Sequence, residues 1–297
     1  MIKQNLKRFT VSKSVWILFF SAALGSFTKV YSQADTSKKV LLAAANTKDI
    51  SGFITLDANV VFPEVLTGNE DETLEYIEKF ATNRRAYLIR TFTRSKQYFP
   101  KVSTVLTKHN LPHELKVLLA LESAFNGNAV SKAGAVGYWQ IMDEVAREYG
   151  MKYVPRQRSG SKSKKTVAKK GATKTSPARD DRKNFNKSTY AAARYLKDRS
   201  KNLDNNLLLM VASYNCGVGN VWEAMKKTGK VEPDFWDIKK FLPAETQAYV
   251  MNFITLNVIF HNYKKFESNT LLFTPAKIKV DNTEGDTVEE TASSIYN

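Results

Sequence analysis

Apolar residues recur at helical spacing along much of the chain, and the pattern is clearest near its middle. Pro112 suits the first turn of a helix, because its missing N–H costs nothing there. Leu115, Leu118 and Leu119 follow at i, i+3 and i+4, which defines an apolar helical face. The next position on that face, i+7, is Glu122. A carboxylate where the pattern predicts an apolar residue is the most informative feature of the sequence.

A carboxyl group among leucines is desolvated, which disfavours its ionised form and raises its pKa toward neutrality. A carboxylic acid that keeps its proton near neutral pH suits general acid catalysis. The alternative is structural, with Glu122 ionised and paired to a buried lysine or arginine. The small residues at 131–137 favour the catalytic interpretation, since they permit close approach of a ligand or of backbone. Tyr138, Trp139 and Gln140 add rings and an amide that suit sugars.

Helical patterns also flank this stretch. Residues 69–110 predict two helices or one long broken helix, ended by Pro100. Residues 143–149 predict a short helix that Gly150 closes. The fold class predicted from these patterns is mainly α.

Three polar or proline residues mark helix starts in the second half of the chain. Ser188 is predicted to cap a helix over 189–201, and Asn206 to cap one over 207–214. Pro243 is predicted to open the last long helix. The inward stripe of that helix comprises Tyr249, Phe253, Leu256 and Phe260.

The positive charge of the chain is concentrated in two segments. Residues 1–33 carry five basic residues and an apolar run too short to span a bilayer, which predicts a secretory signal peptide and an exported protein. Residues 156–179 carry nine Lys or Arg and no acid. Since the formal net charge is +16, only +2 remains for the rest of the chain. The basicity therefore belongs to these segments and not to the folded domain.

The basic segment that runs from Arg156 to Arg179 is too polar to bury a core, so we expect a disordered insertion. Its charge would attract anionic wall polymers or a membrane surface, and the alternative is a solvated linker without a partner. Nucleic acid is not expected as a partner, because no aromatic residue interleaves the lysines. We also expect a leader or linker over 34–68 and a flexible acidic tail over 268–297.

Cysteine and histidine usage gives no sign of a disulfide, metal or cofactor. Cys216 is the only cysteine, so no internal disulfide forms and no lipid-attachment cysteine follows the signal peptide. His109 and His113 are spaced at i, i+4, but Pro112 between them favours a turn over a metal-binding helical face. We therefore predict no metal and no cofactor.

Three ordered motifs carry a family resemblance. They are Glu-Ser-Ala-Phe-Asn at 122–126 with Trp-Gln-Ile-Met at 139–142, Ala-Ser-Tyr-Asn-Cys-Gly at 212–217, and Leu-Pro-Ala-Glu-Thr at 242–246 with Tyr-Val at 249–250. Together they resemble the lytic transglycosylases with a soluble-lytic-transglycosylase catalytic domain, closest to the membrane-bound D type. The resemblance covers roughly residues 69–263. The family's Met-Pro-x-Thr-Ala is replaced here by Met-Asp-Glu-Val-Ala, which leaves the local helix cap open.

The resemblance implies a lysozyme-like helical domain with additional N-terminal helices, over 69–267 with its core motifs at 111–250. It implies a peptidoglycan lytic transglycosylase of the cell envelope or periplasm, which cleaves the β-1,4 bond between N-acetylmuramic acid and N-acetylglucosamine and forms a 1,6-anhydro product. The alternatives are a goose-type lysozyme-like hydrolase and a wall-binding protein without turnover.

The resemblance also assigns the site residues. Glu122 would be both acid and base, which explains why the sequence offers no equally good second carboxylate. Tyr249 would hydrogen-bond Glu122. The remaining predicted substrate-binding residues are Ser123, Gln140, Tyr214 and Asn215, for each of which a local cap or core contact is the alternative.

Overall fold

The computed structural model describes residues 53–155 and 179–279. The predicted signal peptide, most of the predicted leader, the basic insertion up to residue 178 and the end of the predicted tail lie outside the described residues.

The two ends of the described chain meet in a two-stranded sheet. β1 (Phe53–Leu56) pairs antiparallel with β2 (Ala276–Lys279). Next to β1, Phe62 and Leu66 are buried in the core. The last part of the predicted leader is therefore packed, and the first part of the predicted tail contributes a strand. Backbone pairing between distant segments is not visible in local composition.

Two helices follow, as one of the two predicted alternatives proposed. They are α1 (Glu70–Asn83) and α2 (Arg85–Lys108). The prediction that Pro100 ends the second helix is wrong, because α2 continues through it. Pro100 and Lys96, whose carbonyl would have accepted the missing N–H, are both on the exposed side of α2. Solvent therefore replaces the lost hydrogen bond, and the buried face stays intact.

The stretch that contains Glu122 is less regular than predicted. A 3₁₀ segment (His113–Val117) leads into the short helix α3 (Leu118–Ser123). A loop then runs to α4 (Asp143–Glu148), and Gly150 follows at a φ of 70°, as the predicted closing residue should.

The predicted start of the next helix is four residues late. α5 spans Phe185–Asn202, and the side chain of Asn184 accepts the N–H of Lys187 as its N-cap. Ser188 is buried inside α5, where its hydroxyl donates to the carbonyl of Asn184 (2.7 Å). A serine that bonds back to i−4 resembles a cap in sequence but continues the helix.

The following helix pair agrees with its sequence signals. Asn206 caps α6 (Leu207–Cys216), since its side chain accepts the N–H of Leu209. Gly217 adopts a φ of 83° and separates α6 from α7 (Val218–Thr228).

The last long helix lies at the centre of the packing. After the short α8 (Phe235–Ile238), Pro243 precedes α9 (Ala244–His261), as predicted, and α10 (Tyr263–Glu267) follows. α9 contacts α1, α3 and α6, and it is apolar on nearly all sides because neighbours surround it. Further 3₁₀ segments are Glu64–Leu66, Asp181–Lys183 and Lys239–Phe241.

The predicted mainly α class is confirmed. Over the described ranges, no helix combines the length and the apolar character needed to cross a membrane.

Candidate active site

Glu122 occupies the position that the apolar pattern assigned to it. Leu115, Leu118 and Leu119 are fully buried, and Glu122 lies near the end of α3, half-buried. The helix stops two residues later, where Ala124 adopts a left-handed φ of 47°. A non-glycine residue in the left-handed region of φ costs conformational energy. The packing around Ala124 must therefore hold this backbone conformation in place.

Tyr249 of α9 contacts the carboxyl group directly. Its hydroxyl donates to Oε1 of Glu122 at 2.5 Å, which is the contact that the resemblance implied. Among the described residues, no other side chain or backbone group bonds the carboxyl, so Oε2 is left to carry a proton.

The environment of Glu122 favours that proton. Burial raises the pKa of Glu122 to about 8; the hydrogen bond from Tyr249 opposes the rise, and the charge of Glu245 adds to it. The structural alternative required a lysine or arginine partner, and within the described ranges Glu122 makes no salt bridge.

Tyr214 donates its hydroxyl to the backbone and not to Glu122. The hydroxyl donates to the carbonyl oxygen of Trp139 at 2.8 Å. The indole of Trp139 is buried and donates to the hydroxyl of Thr189 at 3.0 Å. Burial, followed by the nearby charge of Glu122, raises the pKa of Tyr214 well above its ordinary value. Tyr214 thus ties α6 to the loop after α3.

Asn215 is directed into the core. It is buried, and its Oδ1 accepts a hydrogen bond from the hydroxyl of Thr246 at 2.7 Å. This bond joins α6 to the first turns of α9, so it fixes the helix that carries Tyr249 relative to the helix that carries Tyr214.

Ser123 and Gln140 hold the loop between α3 and α4. The Ser123 hydroxyl donates to the carbonyl of Tyr138 at 2.7 Å. Gln140 has a left-handed φ of 46°, and its Nε2 donates to the carbonyls of Gly137 (2.8 Å) and Ala129 (3.2 Å). The structure therefore places both side chains against backbone, which is the alternative that the sequence left open.

Small residues in this loop allow another backbone segment to pack closely against it. Gly137 has a φ of 83°, and a Cβ at that position would lie 2.0 Å from the carbonyl oxygen of Arg182. Only glycine fits there. The loop can therefore lie directly on the segment that follows the basic insertion.

Arg182 is fully buried in a cluster of acids. It donates to Asp143 (2.5 Å) and to Asp180 (2.7 Å). Burial would raise the pKa of Asp180, but its hydrogen bonds and ion pair with Arg182 outweigh burial and lower the pKa below its usual value. Asp143 stands where the related family has proline, and here it anchors the guanidinium at the start of α4.

Other candidate sites lie away from Glu122. His113 bonds the hydroxyl of Thr107 (2.8 Å), and no group of three His, Cys, Asp or Glu able to hold a metal occurs among the described residues. Two cavities of about 340 and 300 Å³ do not include Glu122. The larger is lined by Tyr149, Asp181, Lys187, Tyr190 and Arg194 with neighbouring residues, and the smaller by Phe92, Phe99, Phe260 and His261 with neighbouring residues.

The structure also brings to the site a residue that the sequence patterns did not single out. Tyr195 of α5 packs edge-on against Tyr214, with ring centroids 5.5 Å apart. Its helical position one residue before the buried Leu196 was the available signal, but an aromatic residue near a buried stripe is ordinarily core.

Comparison with known proteins agrees with the motifs. Residues 104–236 match the family model of the Transglycosylase SLT domain. Over 220 residues the chain is 31% identical to the membrane-bound lytic murein transglycosylase D of Escherichia coli strain K12, and to the protein of that name from strain O6:H1. These alignments cover 73% of this chain and 42% of each relative, so the chain spans less than half the length of those proteins.

Two solved structures are also similar. They are the lytic transglycosylase Slt of Pseudomonas aeruginosa (TM-score 0.40, 20% identity, 60% of this chain and 25% of that one) and the 70 kDa soluble lytic transglycosylase of Escherichia coli (0.41, 19%, 70% and 33%). The resemblance inferred from the three motifs is confirmed by the family model and the curated relatives.

Proposed function

We propose that this chain, which carries a transglycosylase SLT domain over residues 104–236, is a peptidoglycan lytic transglycosylase. The proposal draws on the murein transglycosylase relatives, and one observation carries its chemistry. Glu122 is a half-buried carboxyl with a hydroxyl partner instead of a cation and a pKa raised to about 8. It therefore holds a proton at neutral pH, as a general acid must.

In the proposed reaction Glu122 first acts as an acid. Its Oε2 gives a proton to the oxygen of the β-1,4 bond between N-acetylmuramic acid and N-acetylglucosamine, and the bond from C1 of the muramyl residue to that oxygen breaks. Tyr249 holds Oε1 through its hydrogen bond, so it fixes the direction of Oε2. The leaving sugar departs with the proton as a free hydroxyl.

Glu122 then acts as a base. The carboxylate accepts the proton of the muramyl C6 hydroxyl while the C6 oxygen bonds C1, which closes the 1,6-anhydro ring and restores the acid. No water enters, and the attack gains from its intramolecular geometry. The assignments of Ser123, Gln140, Tyr214 and Asn215 to substrate binding stay predictions, since each bonds other parts of the protein.

The remaining expectations form part of the proposal. One relative is named a membrane-bound lytic murein transglycosylase. That name supports a location at the cell envelope and a glycan-strand substrate. Export by residues 1–33 and attraction of the basic insertion to anionic wall polymers stay predictions. So do the domain limits 69–267. Salt should weaken wall binding if the insertion contributes to it.

Product mass tests the proposal. Intact sacculi incubated with the protein should release fragments with anhydromuramyl ends, each one water lighter than a hydrolysis product. Glu122→Gln should lower the rate about 10²- to 10⁴-fold, the range for loss of a general acid. Glu144→Gln, at an exposed position on α4, is the matched control and should keep the rate. Products one water heavier than the anhydro fragments would indicate a hydrolase instead. Full activity in Glu122→Gln would show that Glu122 is not the catalytic acid.

A further inference from the structure

The smaller of the two cavities, of about 300 Å³, lies where α2, α9 and the 3₁₀ segment before α3 meet. Phe92 and Phe99 of α2 and Phe260 of α9 supply aromatic rings to its wall, and Asn257 of α9 also lines it. As the described residues form it, the cavity includes no residue assigned to the active site. Asn257 lies about 12 Å along α9 from Tyr249. The cavity is therefore separate from the candidate active site.

The amide of Asn257 is buried and incompletely paired. Within the described ranges its side chain makes one hydrogen bond, from Nδ2 to the carbonyl of Phe253 at 3.0 Å, and Oδ1 has no partner. Asn262 is equally buried, at 5% exposure, and bonds through both atoms. Its Oδ1 accepts the N–H of Val61 (3.0 Å), and its Nδ2 donates to the carbonyls of Val61 (2.6 Å) and Val258 (2.8 Å). Buried amides are normally satisfied in this way, so the unpaired Oδ1 of Asn257 requires an explanation.

The unpaired oxygen of Asn257 faces the cavity. Among the described residues, Nε of Arg199 is the one fully buried side-chain nitrogen or oxygen without a partner. Oδ1 of Asn257 also has no partner, so it is in contact with accessible space. The residue is only 5% exposed, and the cavity is the accessible space that it lines. The cavity wall therefore offers a hydrogen-bond acceptor to a donor that comes from outside.

Two opposite charges line the same cavity. Glu114 and Lys116 lie two residues apart on the 3₁₀ segment, and both are partly exposed. In the part of the chain that the structure describes, neither forms an ion pair, with the other or with any further charge. The ammonium of Lys116 lies 5.6 Å from the ring centroid of Phe99. A ligand in the cavity would therefore meet a carboxylate and an ammonium together.

These groups select the chemistry of the ligand. A ligand with a single charge would be attracted by one of the two residues and repelled by the other, and a neutral sugar would neutralise neither. A zwitterion whose ammonium and carboxylate are close together matches both charges. Its ammonium also supplies the donor that Oδ1 of Asn257 can accept. The three phenylalanine rings suit an apolar side chain on the same molecule.

The size and rigidity of the cavity agree with such a ligand. An apolar cavity of about 150 Å³ accommodates benzene. About 300 Å³ therefore has room for one ring and for the zwitterionic group beside it. The rings of the wall are held by their neighbours, since Phe92 stacks on Tyr263 with centroids 3.5 Å apart and meets Phe260 edge-on at 5.2 Å. A wall that is already ordered loses little side-chain entropy on binding.

We propose that this cavity binds a free α-amino acid with an apolar side chain. The ammonium group donates to Oδ1 of Asn257 and faces the carboxylate of Glu114. The carboxylate group faces the ammonium of Lys116, and the side chain packs against the phenylalanine rings. The site shares α9 with the active site but no residue, so it does not depend on the proposed function.

Calorimetry with L-phenylalanine and the full chain tests the site. Asn257→Leu keeps a similar volume and removes the acceptor, so the affinity should fall about 10- to 100-fold, as for loss of a hydrogen bond to a charged donor. Its melting temperature should not fall, because the carbonyl of Phe253 stays bonded within α9. If Asn257→Leu does not fold, the charge variants below decide the question.

Glu114→Gln and Lys116→Gln test the two charges separately. Each should lower the affinity about 2- to 5-fold, because these ions are partly exposed. The matched controls are Glu144→Gln and Lys108→Gln, at exposed positions away from the cavity, which should leave the affinity unchanged. Losses in the controls equal to those in the cavity variants would overturn the site.

Two derivatives separate a free amino acid from the end of a peptide. N-acetyl-phenylalanine lacks the ammonium, as the last residue of a peptide does, and phenylalanine amide lacks the carboxylate, as the first residue does. Both should bind more weakly than phenylalanine, and so should glycine, which lacks the apolar side chain. A derivative that binds as tightly as phenylalanine would overturn the zwitterion assignment.

The remaining outcomes concern the location of the ligand. Glu122→Gln should bind phenylalanine as the wild type does, because the cavity does not include Glu122. A larger loss in Glu122→Gln than in Glu114→Gln would place the ligand at the active site and overturn the proposal, as would a wild type that binds no phenylalanine. The products released from sacculi report on the proposed function alone, so either proposal can fail while the other stands.

Discussion

Two regions of this molecule bury carboxyl groups in opposite ways. At the end of α3, Glu122 receives one hydrogen bond from the neutral hydroxyl of Tyr249, and its pKa rises to about 8. Beside α4, Asp180 and Asp143 bond the buried guanidinium of Arg182, and the pKa of Asp180 falls. Burial acts in the same direction on Glu122 and Asp180, so the partner decides the sign.

The difference separates chemistry from architecture. A carboxylate with a guanidinium partner stays ionised, and the ion pair holds backbone segments together. In this cluster Gly137 packs against the backbone carbonyl oxygen of Arg182. A carboxyl with a hydroxyl partner keeps its proton and can transfer it. Both regions meet at the loop after α3, so the ionic cluster supports the segment that surrounds the candidate acid.

The largest expected effect comes from removing the cation of the ionic cluster. Arg182→Met keeps much of the volume but leaves Asp180 buried without its partner, so the free energy of unfolding should fall by about 3–5 kcal/mol. Denaturant titration measures this. Arg179→Met is the matched control, because the Arg179 side chain is 70% exposed and its ion pair with Asp181 spans 3.7 Å; its loss should be within about 1 kcal/mol. Equal losses in the two variants would contradict the structural role of Arg182.

Removing the hydroxyl partner of the acid should give the next effect. Tyr249→Phe frees Glu122 to rotate, so kcat/KM should fall about 10- to 100-fold. In the wild type, kcat/KM should fall as pH rises through about 8, because the acid loses its proton. The Tyr249 bond lowers the pKa of Glu122, so its removal should move that alkaline decline to higher pH.

The control for this variant is Tyr76→Phe. It removes a comparable hydrogen bond, from Tyr76 to Asn252 on the same helix α9 (2.8 Å), without touching the acid. The pH profile of Tyr76→Phe should match the wild type. A decline in Tyr249→Phe that moves to lower pH, or does not move, would contradict the geometry of the pair.

The sequence predicted those parts of the molecule that depend on local pattern. Glu122 was found because it interrupts an apolar face, and Asn206 and Pro243 marked helix starts through their own backbone chemistry. Local signals gave wrong helix boundaries where the surroundings of a residue decide its role. Pro100 lies on the exposed side of a helix that continues through it, and Ser188 donates its hydroxyl to a backbone carbonyl of its own helix.

Contacts across long sequence separations could not be predicted from pattern. The bonds of Tyr214 to Trp139 and of Asn215 to Thr246 depend on how helices pack, and periodicity reports only which face is buried. The contact between Tyr249 and Glu122 was expected only because the motifs resembled a family.

The smallest expected effect is on the free energy of unfolding. It tests whether the folded protein disfavours the ionised form of Glu122. The folded state binds the Glu122 proton more tightly than the unfolded chain, so the wild type loses stability as pH rises from about 4.5 to about 8. Glu122→Gln does not titrate, so its stability advantage should grow over that interval and level off above it. Because each pKa unit is worth about 1.4 kcal/mol and the side chain is only half-buried, we expect a plateau of about 1–2 kcal/mol. Glu144→Gln, at its exposed position, should show no such trend when both variants are melted across this pH range. An advantage of Glu122→Gln that is largest at acidic pH would mean that the folded protein stabilises the charged form of Glu122, as Arg182 does for Asp180.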